Sequence, residues 1–209
     1  MIRILIADDH TVVRKGLKQI LVEAFQSLFI EEVADAESLV KKVMSSTWDV
    51  VITDLSMPGR SGLDALQQIK QYYPKLPVLI LSIYPEEQYA LRVLKAGAAG
   101  YLNKDMASEE LVTAVNRVLS GRKYISPTVA EKLAVSLDRD GDKLPHEYLS
   151  DREFDVLKLI ASGNSVSQIA EALSLSSTTV STYRARIMAK MNMKNNTSLT
   201  RYAIENKII

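Results

Sequence analysis

The sequence predicts an α/β protein, with a doubly wound five-stranded parallel sheet followed by a small all-α domain. Within residues 1–122, five short apolar runs alternate with stretches whose apolar side chains recur at helical spacing. Continuous apolar runs rich in β-branched residues are typical of parallel strands that are covered on both faces. Strands alternating with helices favour one parallel sheet joined by right-handed crossovers. Residues 148–209 show helical patterns only, which indicates a second, all-α domain.

The element boundaries follow from the apolar runs and from the residues that interrupt them. Met57–Gly59 breaks any regular element after the third run, and Gly97 and Gly121 end helical stretches. The predicted strands are Ile2–Ala7, Ile30–Ala34, Val50–Ile52 with Thr53 and Asp54 at its end, Pro77–Leu81 and Ala99–Leu102. The predicted helices are Val12–Ala24, Leu39–Val43, Gly62–Tyr73, Glu86–Ala96 and Ser108–Leu119.

Composition restricts the classes of function. The 209-residue chain is 47% hydrophobic and 24% charged, which are ordinary values for a globular protein. It contains no cysteine, which excludes disulfides and thiolate metal sites and fits a reducing cytoplasm. No apolar run approaches the roughly 18 residues that a membrane span needs. The N-terminus runs straight into Asp8 and Asp9, unlike a signal peptide. We therefore expect a cytoplasmic protein without a membrane partner.

The net charge of +1 conceals an asymmetry between the two parts of the chain. From Leu149 onward, 8 Lys and Arg residues stand against 5 Asp and Glu residues. No acidic residue interrupts the cationic series Arg184, Arg186, Lys190, Lys194 and Arg201. An ordinary charged surface remains compatible with this series, but a local basic patch also indicates phosphate binding.

Polar side chains follow several predicted strands at the point where each strand ends. Asp8 and Asp9 follow the first strand, and Asp54 ends the third. Ser82 follows the fourth strand and Lys104 comes just after the fifth. Because the C-terminal ends of parallel strands share the edge where open α/β sheets bind ligands, these side chains can converge. Three carboxylates in one pocket repel each other unless a cation neutralises them, and oxygen ligands favour Mg²⁺.

The same residue types suit phosphoryl chemistry. A carboxylate can attack phosphorus and form an aspartyl phosphate. Charge on the transferring phosphoryl group then needs a metal ion, a cation and a hydroxyl donor. Lys104 and Ser82 are the right residue types for the last two of these roles.

Residues 1 to about 121 resemble the receiver domain of bacterial two-component response regulators, which has a flavodoxin-like fold. The resemblance rests on the acidic pair after strand one and on DLSMPG after strand three. It also rests on the serine after strand four and on KAGAAGYLNKD around strand five. It implies that Asp54 is the phospho-acceptor.

The resemblance also implies roles for the residues around Asp54. The expected Mg²⁺ ligands are Asp9, Asp54 and the main-chain carbonyl of Ser56, with Asp8 acting through water. Ser82 and Lys104 are expected to contact the phosphoryl group. Tyr101 is expected to be the aromatic side chain whose rotamer follows the state of Ser82. Asp105 departs from the pattern, because many receivers place a proline directly after this lysine.

A second class of protein also uses an aspartyl phosphate, namely the haloacid dehalogenase-type phosphatases. These enzymes place a second Asp two residues after the nucleophile, where this chain has Ser56. No second catalytic domain is apparent in the sequence. We therefore expect a regulator rather than an enzyme, although a receiver would promote its own phosphorylation and dephosphorylation.

A linker joins the two predicted domains. Ser126–Leu137 carries apolar side chains at helical spacing, and Asp138–Glu147 is polar and contains Gly141 and Pro145 as helix breakers. We place the receiver at residues 1–122, the linker with its helix at 123–147 and the second domain at 148–209.

The second domain begins with short helices. Ser150–Glu153 is a capping box that starts the first helix, and Val166–Leu173 forms the second. Ser176 or Ser177 can cap a third helix. Two short helices at this spacing, the second amphipathic and basic, fit a helix-turn-helix.

The third helix has two different faces when its residues are placed at about 100° per residue. Val180, Ile187 and Met191 share an inward arc with Tyr183. The outward arc carries small and hydroxyl side chains that can enter a major groove: Thr178, Ser181, Thr182, Ala185 and Ala189. The expected phosphate contacts are Arg186, Lys190 and Lys194, and the role of Arg184 is ambiguous.

Leu149 to about Met193 resembles the LuxR-type helix-turn-helix of the NarL/FixJ class of response regulators. The two resemblances together imply a phosphorylation-dependent transcriptional regulator. Its expected partners are a histidine kinase, double-stranded DNA and a second copy of the chain. The alternative is a receiver-controlled regulator that acts by protein–protein contact, in which the second domain is mainly a dimerisation module.

Overall fold

Five parallel strands form one sheet in the computed structural model, which describes residues 1–131 and 144–209. The strands are β1 Ile2–Ala7, β2 Leu28–Val33, β3 Val50–Asp54, β4 Val78–Ser82 and β5 Gly100–Asn103. Their order across the sheet is β2-β1-β3-β4-β5, and every pair is parallel. The strand order changes direction between β1 and β3, the position where doubly wound sheets bind ligands. The predicted fold class is confirmed.

Five helices connect the strands and cover the sheet. They are α1 Thr11–Ala24, α2 Ala36–Ser45, α3 Gly62–Tyr72, α4 Glu86–Lys95 and α5 Ala107–Leu119. The residues of β3 and β4 are all buried. One core cluster joins Ile4, Ile6 and Ile52 of the sheet to α1 and α5. Burying side chains of this size contributes roughly 1.5–3 kcal/mol each relative to an exposed position.

Several element boundaries and one helix face differ from the sequence prediction; β4, for example, lies one residue later than predicted. β2 begins at Leu28 rather than Ile30, because its pairing with β1 starts with Ile2 opposite Leu28. β5 lies one residue later than predicted, at Gly100–Asn103. In α1 the buried side chains are Leu17 and Leu21. Val12 is 83% exposed, whereas Val13 beside it packs against the core.

A segment after α5 returns to the edge of the sheet. Tyr124 forms a parallel bridge with Gly100, and its amide donates to the carbonyl of Ala99 at 2.8 Å. Ser126 Oγ accepts from the amide of Val129 at 3.2 Å and caps the helical residues 127–131. The rest of the predicted Ser126–Leu137 helix lies outside the described residues.

The C-terminal unit is helical over the described residues, with a 3-10 helix at Pro145–Tyr148 before its α-helices. The chain divides into two units, Met1–Asp138 and Arg139–Ile209. The helices of the second unit are α6 Asp151–Ala161, α7 Val166–Ala172, α8 Ser177–Lys190 and α9 Asn196–Glu205. Each begins after a side-chain cap that accepts from the amide three residues later: Ser150, Ser165, Ser176 and Asn195. These caps satisfy amides that have no partner within the helix.

None of the helices within residues 1–131 and 144–209 is both long enough and apolar enough to cross a membrane.

Candidate functional site

The carboxylates predicted at the strand ends converge at one edge of the sheet. Asp8 follows β1 and is fully buried, and Asp54 ends β3 and is 3% exposed. Asp9 is half-buried beside them. One ligand atom from each of these residues and from His10 lies within 4.8 Å of all the others. The fold therefore gathers three carboxylates in a pocket that is largely closed to water.

Lys104 supplies the positive charge in this pocket. It starts a 3-10 turn, Lys104–Met106, directly after β5. Its Nζ lies 2.8 Å from Asp54 Oδ2 and 2.7 Å from Asp8 Oδ2. The described residues contain no cis peptide bond, and Asp105 does not prevent Lys104 from reaching both carboxylates. The Asp105 amide donates to the Asn103 side chain at 2.9 Å and stabilises the turn.

Burial and pairing shift the pKa values of this pair. Burial raises the pKa of Asp54, and the hydrogen bond and charge of Lys104 oppose that rise without cancelling it. Burial would lower the pKa of Lys104, but its bonds to Asp54 and Asp8 outweigh this effect and raise it. Lys104 therefore stays charged at neutral pH, next to a carboxylate that is held in an unfavourable environment.

The loop after Asp54 depends on a glycine that sequence reasoning did not single out. A Cβ at Gly62 would lie 1.9 Å from the carbonyl oxygen of Asp54. The Gly62 amide donates to the Leu55 carbonyl at 2.9 Å, which draws the start of α3 against the end of β3. The Ser56 amide in turn donates to Asp54 Oδ1 at 3.2 Å. The glycine in the sequence PGRSGLD was a visible signal, but the close approach follows only from the tertiary structure.

The predicted switch residues form a connected group beside the pocket. Ser82 is fully buried, and its Oγ accepts from the Tyr84 amide at 3.1 Å. The Tyr101 hydroxyl donates to the Tyr84 carbonyl at 2.7 Å. Tyr101 is 4% exposed, and burial raises its pKa to about 12. The structure therefore places Tyr101 inward and joins it to Ser82 through the loop before α4.

His10, directly after the acidic pair, also borders the pocket. Its Nδ1 lies 2.9 Å from Asp9 Oδ1, and its amide donates to Asp8 Oδ1 at 2.8 Å. The side chain is 66% exposed, so it lies at the mouth of the pocket. Its position directly after the acidic pair was the available signal.

The donor set fits a hard divalent cation. Among the described residues, no hydrogen bond of good geometry reaches Asp8 Oδ2 or Asp9 Oδ1. Lys104 Nζ and His10 Nδ1 instead lie close to these oxygens, at 2.7 Å and 2.9 Å. Clustered carboxylate oxygens that keep acceptor capacity are the ligands that Mg²⁺ prefers.

The side chains on the two faces of α8 differ in burial. Val180, Ile187 and Met191 are buried, and Tyr183 is half-buried. The exposed side chains of the opposite face are Thr178, Ser181, Thr182, Ala185, Arg186 and Ala189. α8 therefore packs on its inward arc and presents a surface of small side chains, whose contact with DNA stays a prediction.

The cations of α8 and the loop after it have different surroundings. Arg184 is half-buried and its Nε donates to Asn196 Oδ1 at 2.8 Å. Lys190 Nζ donates to Glu153 Oε2 at 2.6 Å. Arg186 and Lys194 are exposed. The sequence identified Glu153 only as a capping residue, because nothing local indicates its pairing with Lys190.

A buried aspartate at the end of β3, paired with a lysine and an acidic cluster on a doubly wound sheet, defines a receiver-type phosphorylation domain. Comparison with protein families agrees with this class. Residues 4–116 match the response regulator receiver domain, and residues 147–203 match the bacterial regulatory proteins of the luxR family. The chain belongs to the response regulators, in the NarL/FixJ class with a LuxR-type C-terminal domain. These are regulators rather than classical enzymes, and receiver domains typically use Mg²⁺ at the acidic pocket.

Similar proteins match over nearly the whole chain. Response regulator UvrY of Escherichia coli is 36% identical over 205 residues, covering 98% of this chain and 94% of its own. Oxygen regulatory protein NreC of Staphylococcus carnosus is 38% identical over 214 residues, covering 99% of each chain. RcsB of Salmonella enterica serovar Typhimurium, bound to promoter rprA with the phosphomimetic BeF3⁻, has a TM-score of 0.60 and 29% identity. That match covers 97% of this chain and 98% of RcsB.

Proposed function

We propose that this chain is a transcriptional regulator of a two-component system, in which phosphorylation of Asp54 controls dimerisation and DNA binding. The observation that carries the proposal is the buried Asp54 carboxylate, which lies 2.8 Å from Lys104 Nζ and shares its pocket with Asp8 and Asp9. The proposed organisation is a receiver at residues 1–122, a linker at 123–147 and a DNA-binding domain at 148–209. We place the protein in the cytoplasm, where a histidine kinase can reach it.

The proposed reaction transfers a phosphoryl group from a kinase phosphohistidine, or from a small phosphodonor, to Asp54. With the phosphohistidine donor, a carboxylate oxygen forms a bond to phosphorus while the phosphorus–nitrogen bond breaks, and the electron pair leaves with the imidazole nitrogen. Lys104 stabilises the negative charge on the phosphoryl oxygens, and the Ser82 hydroxyl donates to one of them. When bound, Mg²⁺ supplies further charge neutralisation.

The residues that would hold Mg²⁺ follow from the same pocket. We propose Asp9, Asp54 and the main-chain carbonyl of Ser56 as ligands, with Asp8 acting through water. These residues orient the ion and the acceptor carboxylate together. The same arrangement would let the receiver promote its own phosphorylation and dephosphorylation.

The switch begins at Ser82. Its Oγ accepts from the Tyr84 amide in this structure, and Tyr101 donates to the Tyr84 carbonyl. A phosphoryl group on Asp54 would draw the Ser82 hydroxyl toward it and weaken the bond with Tyr84. We propose that Tyr101 then changes rotamer, so that the surface around α4 and β5 reports the state of Asp54.

The proposed output is binding of double-stranded DNA by dimers at a two-fold site. Solved complexes of RcsB with promoter DNA, and of two RcsB dimers with two DNAs, support this output. We propose that Thr178, Ser181, Thr182 and Ala185 enter the major groove and that Arg186 and Lys194 contact phosphates. The exposure of the first five of these side chains on one surface of α8, and of Lys194 just after that helix, supports this docking.

The test is selection of bound fragments from random genomic DNA, with and without a small phosphodonor and Mg²⁺. We expect the phosphodonor to increase recovery of a defined set of fragments with the unaltered chain and to have no effect on Asp54→Asn. If Asp54→Asn responds like the unaltered chain, Asp54 is not the switch. If no fragment is retained at low salt and the phosphorylated chain only dimerises, the protein–protein alternative is correct.

A further inference from the structure

We infer that Lys190 is a positioning residue, which with Glu153 fixes the last turn of α8 against the first turn of α6, rather than a phosphate contact. This inference rests on the proposed DNA-binding function and concerns how its reading helix is held. It replaces the role that the sequence pattern alone gave to Lys190.

One carboxylate oxygen joins the two helices. Glu153 lies in the first turn of α6 with a side chain that is 3% exposed. Its Oε2 accepts from the Ser150 amide at 2.7 Å and from Lys190 Nζ at 2.6 Å. Because Lys190 is the last residue of α8, this single oxygen connects the N-terminal cap of α6 with the C-terminal end of the reading helix.

Moving the Lys190 ammonium from Glu153 to a DNA phosphate would cost free energy. Burial would raise the pKa of Glu153, but the bonds from Lys190 and Ser150 outweigh burial and lower it. Glu153 is therefore charged at neutral pH. If the Lys190 ammonium moved to a phosphate, the buried Glu153 carboxylate would lose its counter-ion, and an unpaired buried charge is strongly unfavourable. Holding the Lys190 ammonium at Glu153 avoids this cost, and the Lys190 side chain itself is 41% exposed.

The other cations of this region fall into two groups. Arg184 also ties α8 to a neighbouring helix, because its Nε donates to Asn196 Oδ1 in the first turn of α9. Within the described part of the chain, the side chains of Arg186 and Lys194 make no hydrogen bond or ion pair, whereas Lys190, which is exposed like them, is paired with Glu153. Arg184 and Lys190 therefore hold α8 in place, and Arg186 and Lys194 remain for the phosphate backbone.

The first experiment measures the salt dependence of DNA binding by the full-length chain. The probe is a fluorescein-labelled duplex recovered by selection with the unaltered protein, and the variants are Lys190→Met, Glu153→Gln, Lys190→Arg and the matched control Arg186→Met. Each phosphate contact adds about one unit to the slope of log K against log salt. We expect Arg186→Met to lower the slope by about one unit.

Lys190→Met and Glu153→Gln should each weaken binding roughly 10-fold, the scale of one lost charge-assisted hydrogen bond, without a change in slope. The double variant should bind no more weakly than either single variant, and Lys190→Arg should retain most of the affinity. A slope that falls by about one unit in Lys190→Met, with nearly normal binding by Glu153→Gln, would overturn the inference.

The second experiment does not depend on DNA. Hydrogen exchange of the full-length chain should be faster in residues 187–191 of Lys190→Met and Glu153→Gln than in the unaltered protein, and unchanged in Arg186→Met. Unchanged exchange in the first two variants would also reject the positioning role. Absence of DNA binding by the unaltered chain would refute the proposed function, and exchange would still decide whether the pair positions α8.

Discussion

The two units of this protein each contain a buried carboxylate paired with a lysine, and the two pairs behave differently. Lys104 lies 2.8 Å from Asp54 in the receiver, and Lys190 lies 2.6 Å from Glu153 in the C-terminal unit. The pKa of Asp54 is nevertheless raised, whereas the pKa of Glu153 is lowered. A lysine at hydrogen-bond distance therefore does not by itself decide whether the pKa of a buried carboxylate is raised or lowered.

The neighbours of each carboxylate explain the difference. Asp54 is deeply buried and lies close to Asp8, so burial and like charge act against its ionisation. No acidic group among the described residues contributes to the pKa shift of Glu153, which receives a second hydrogen bond from the Ser150 amide. The receiver holds an unfavourably placed carboxylate at the proposed phospho-acceptor, and the C-terminal unit has a well-paired one that joins two helices. Functional sites often carry such a cost in stability.

The largest expected effect of breaking either pair is on phosphoryl transfer. Lys104→Met removes the charge that would face the phosphoryl oxygens in the proposed reaction, and losing one such stabilising group typically costs about 10²–10³-fold in rate. We expect a loss of this size in the rate at which a small phosphodonor labels Asp54 in the presence of Mg²⁺. Lys95→Met, at the end of α4 and outside the acidic cluster, is the control. A loss below about tenfold would mean that Lys104 is structural in the receiver, as Lys190 is in the other unit.

The next largest effect concerns the backbone that presents Asp54. Gly62→Ala would place a Cβ 1.9 Å from the Asp54 carbonyl oxygen. The start of α3 must then move, at a cost of about 1–3 kcal/mol or more in the free energy of unfolding. Gly16→Ala in α1 is the matched control, because no atom lies within 4 Å of its added Cβ. It should stabilise the receiver by about 0.5–1 kcal/mol through helix propensity.

Urea unfolding followed by fluorescence of Trp48, the one tryptophan of the chain, measures both glycine variants within the receiver. Equal stabilities of the two variants would mean that the loop after Asp54 absorbs the added methyl group. The close approach of α3 to β3 would then have no role in holding the acceptor.

The receiver site could be predicted well from the sequence because its geometry follows from chain direction. Asp8, Asp54 and Ser82 each end or follow a strand, and parallel strands bring such ends together whatever the details of packing. Gly62 and His10 were not recognised, because their roles depend on how closely a loop returns to its own strand. The start of β2 was also missed, since pairing with β1 rather than an apolar pattern sets it.

The C-terminal site was less predictable for a related reason. Helical angle gave the inward and outward faces of α8 correctly, since burial follows the direction in which each side chain leaves its own helix. It could not give the partner of Lys190, because Glu153 lies on a different helix and 37 positions away in sequence. Long cationic side chains can reach either a phosphate or a neighbouring helix, and only the packing of α6 against α8 distinguishes the two.

The smallest expected effects are changes in stability when each of the two carboxylates is replaced by its amide. Asp54→Asn removes a charge that opposes folding, so we expect the receiver to gain up to about 1 kcal/mol at neutral pH. Glu153→Gln removes a charge that stabilises the C-terminal unit, so we expect a loss of about 1–2 kcal/mol there. Fluorescence of Trp48 reports the receiver, and hydrogen exchange of α8 reports the other unit.

The stability changes caused by Asp54→Asn and Glu153→Gln should also depend on pH in different ways, because the two pKa values are shifted in opposite directions. The raised pKa of Asp54 means that its ionisation costs stability as pH rises through that pKa, so the advantage of Asp54→Asn should shrink as pH falls toward it. The lowered pKa of Glu153 means that its contribution is complete above the ordinary glutamate pKa of about 4.3 and is lost below it. The deficit of Glu153→Gln should therefore persist down to that pH and then decline. If both variants destabilise their units at neutral pH, the Asp54 carboxylate is as well satisfied as Glu153, and the contrast between a reactive pair and a positioning pair is wrong.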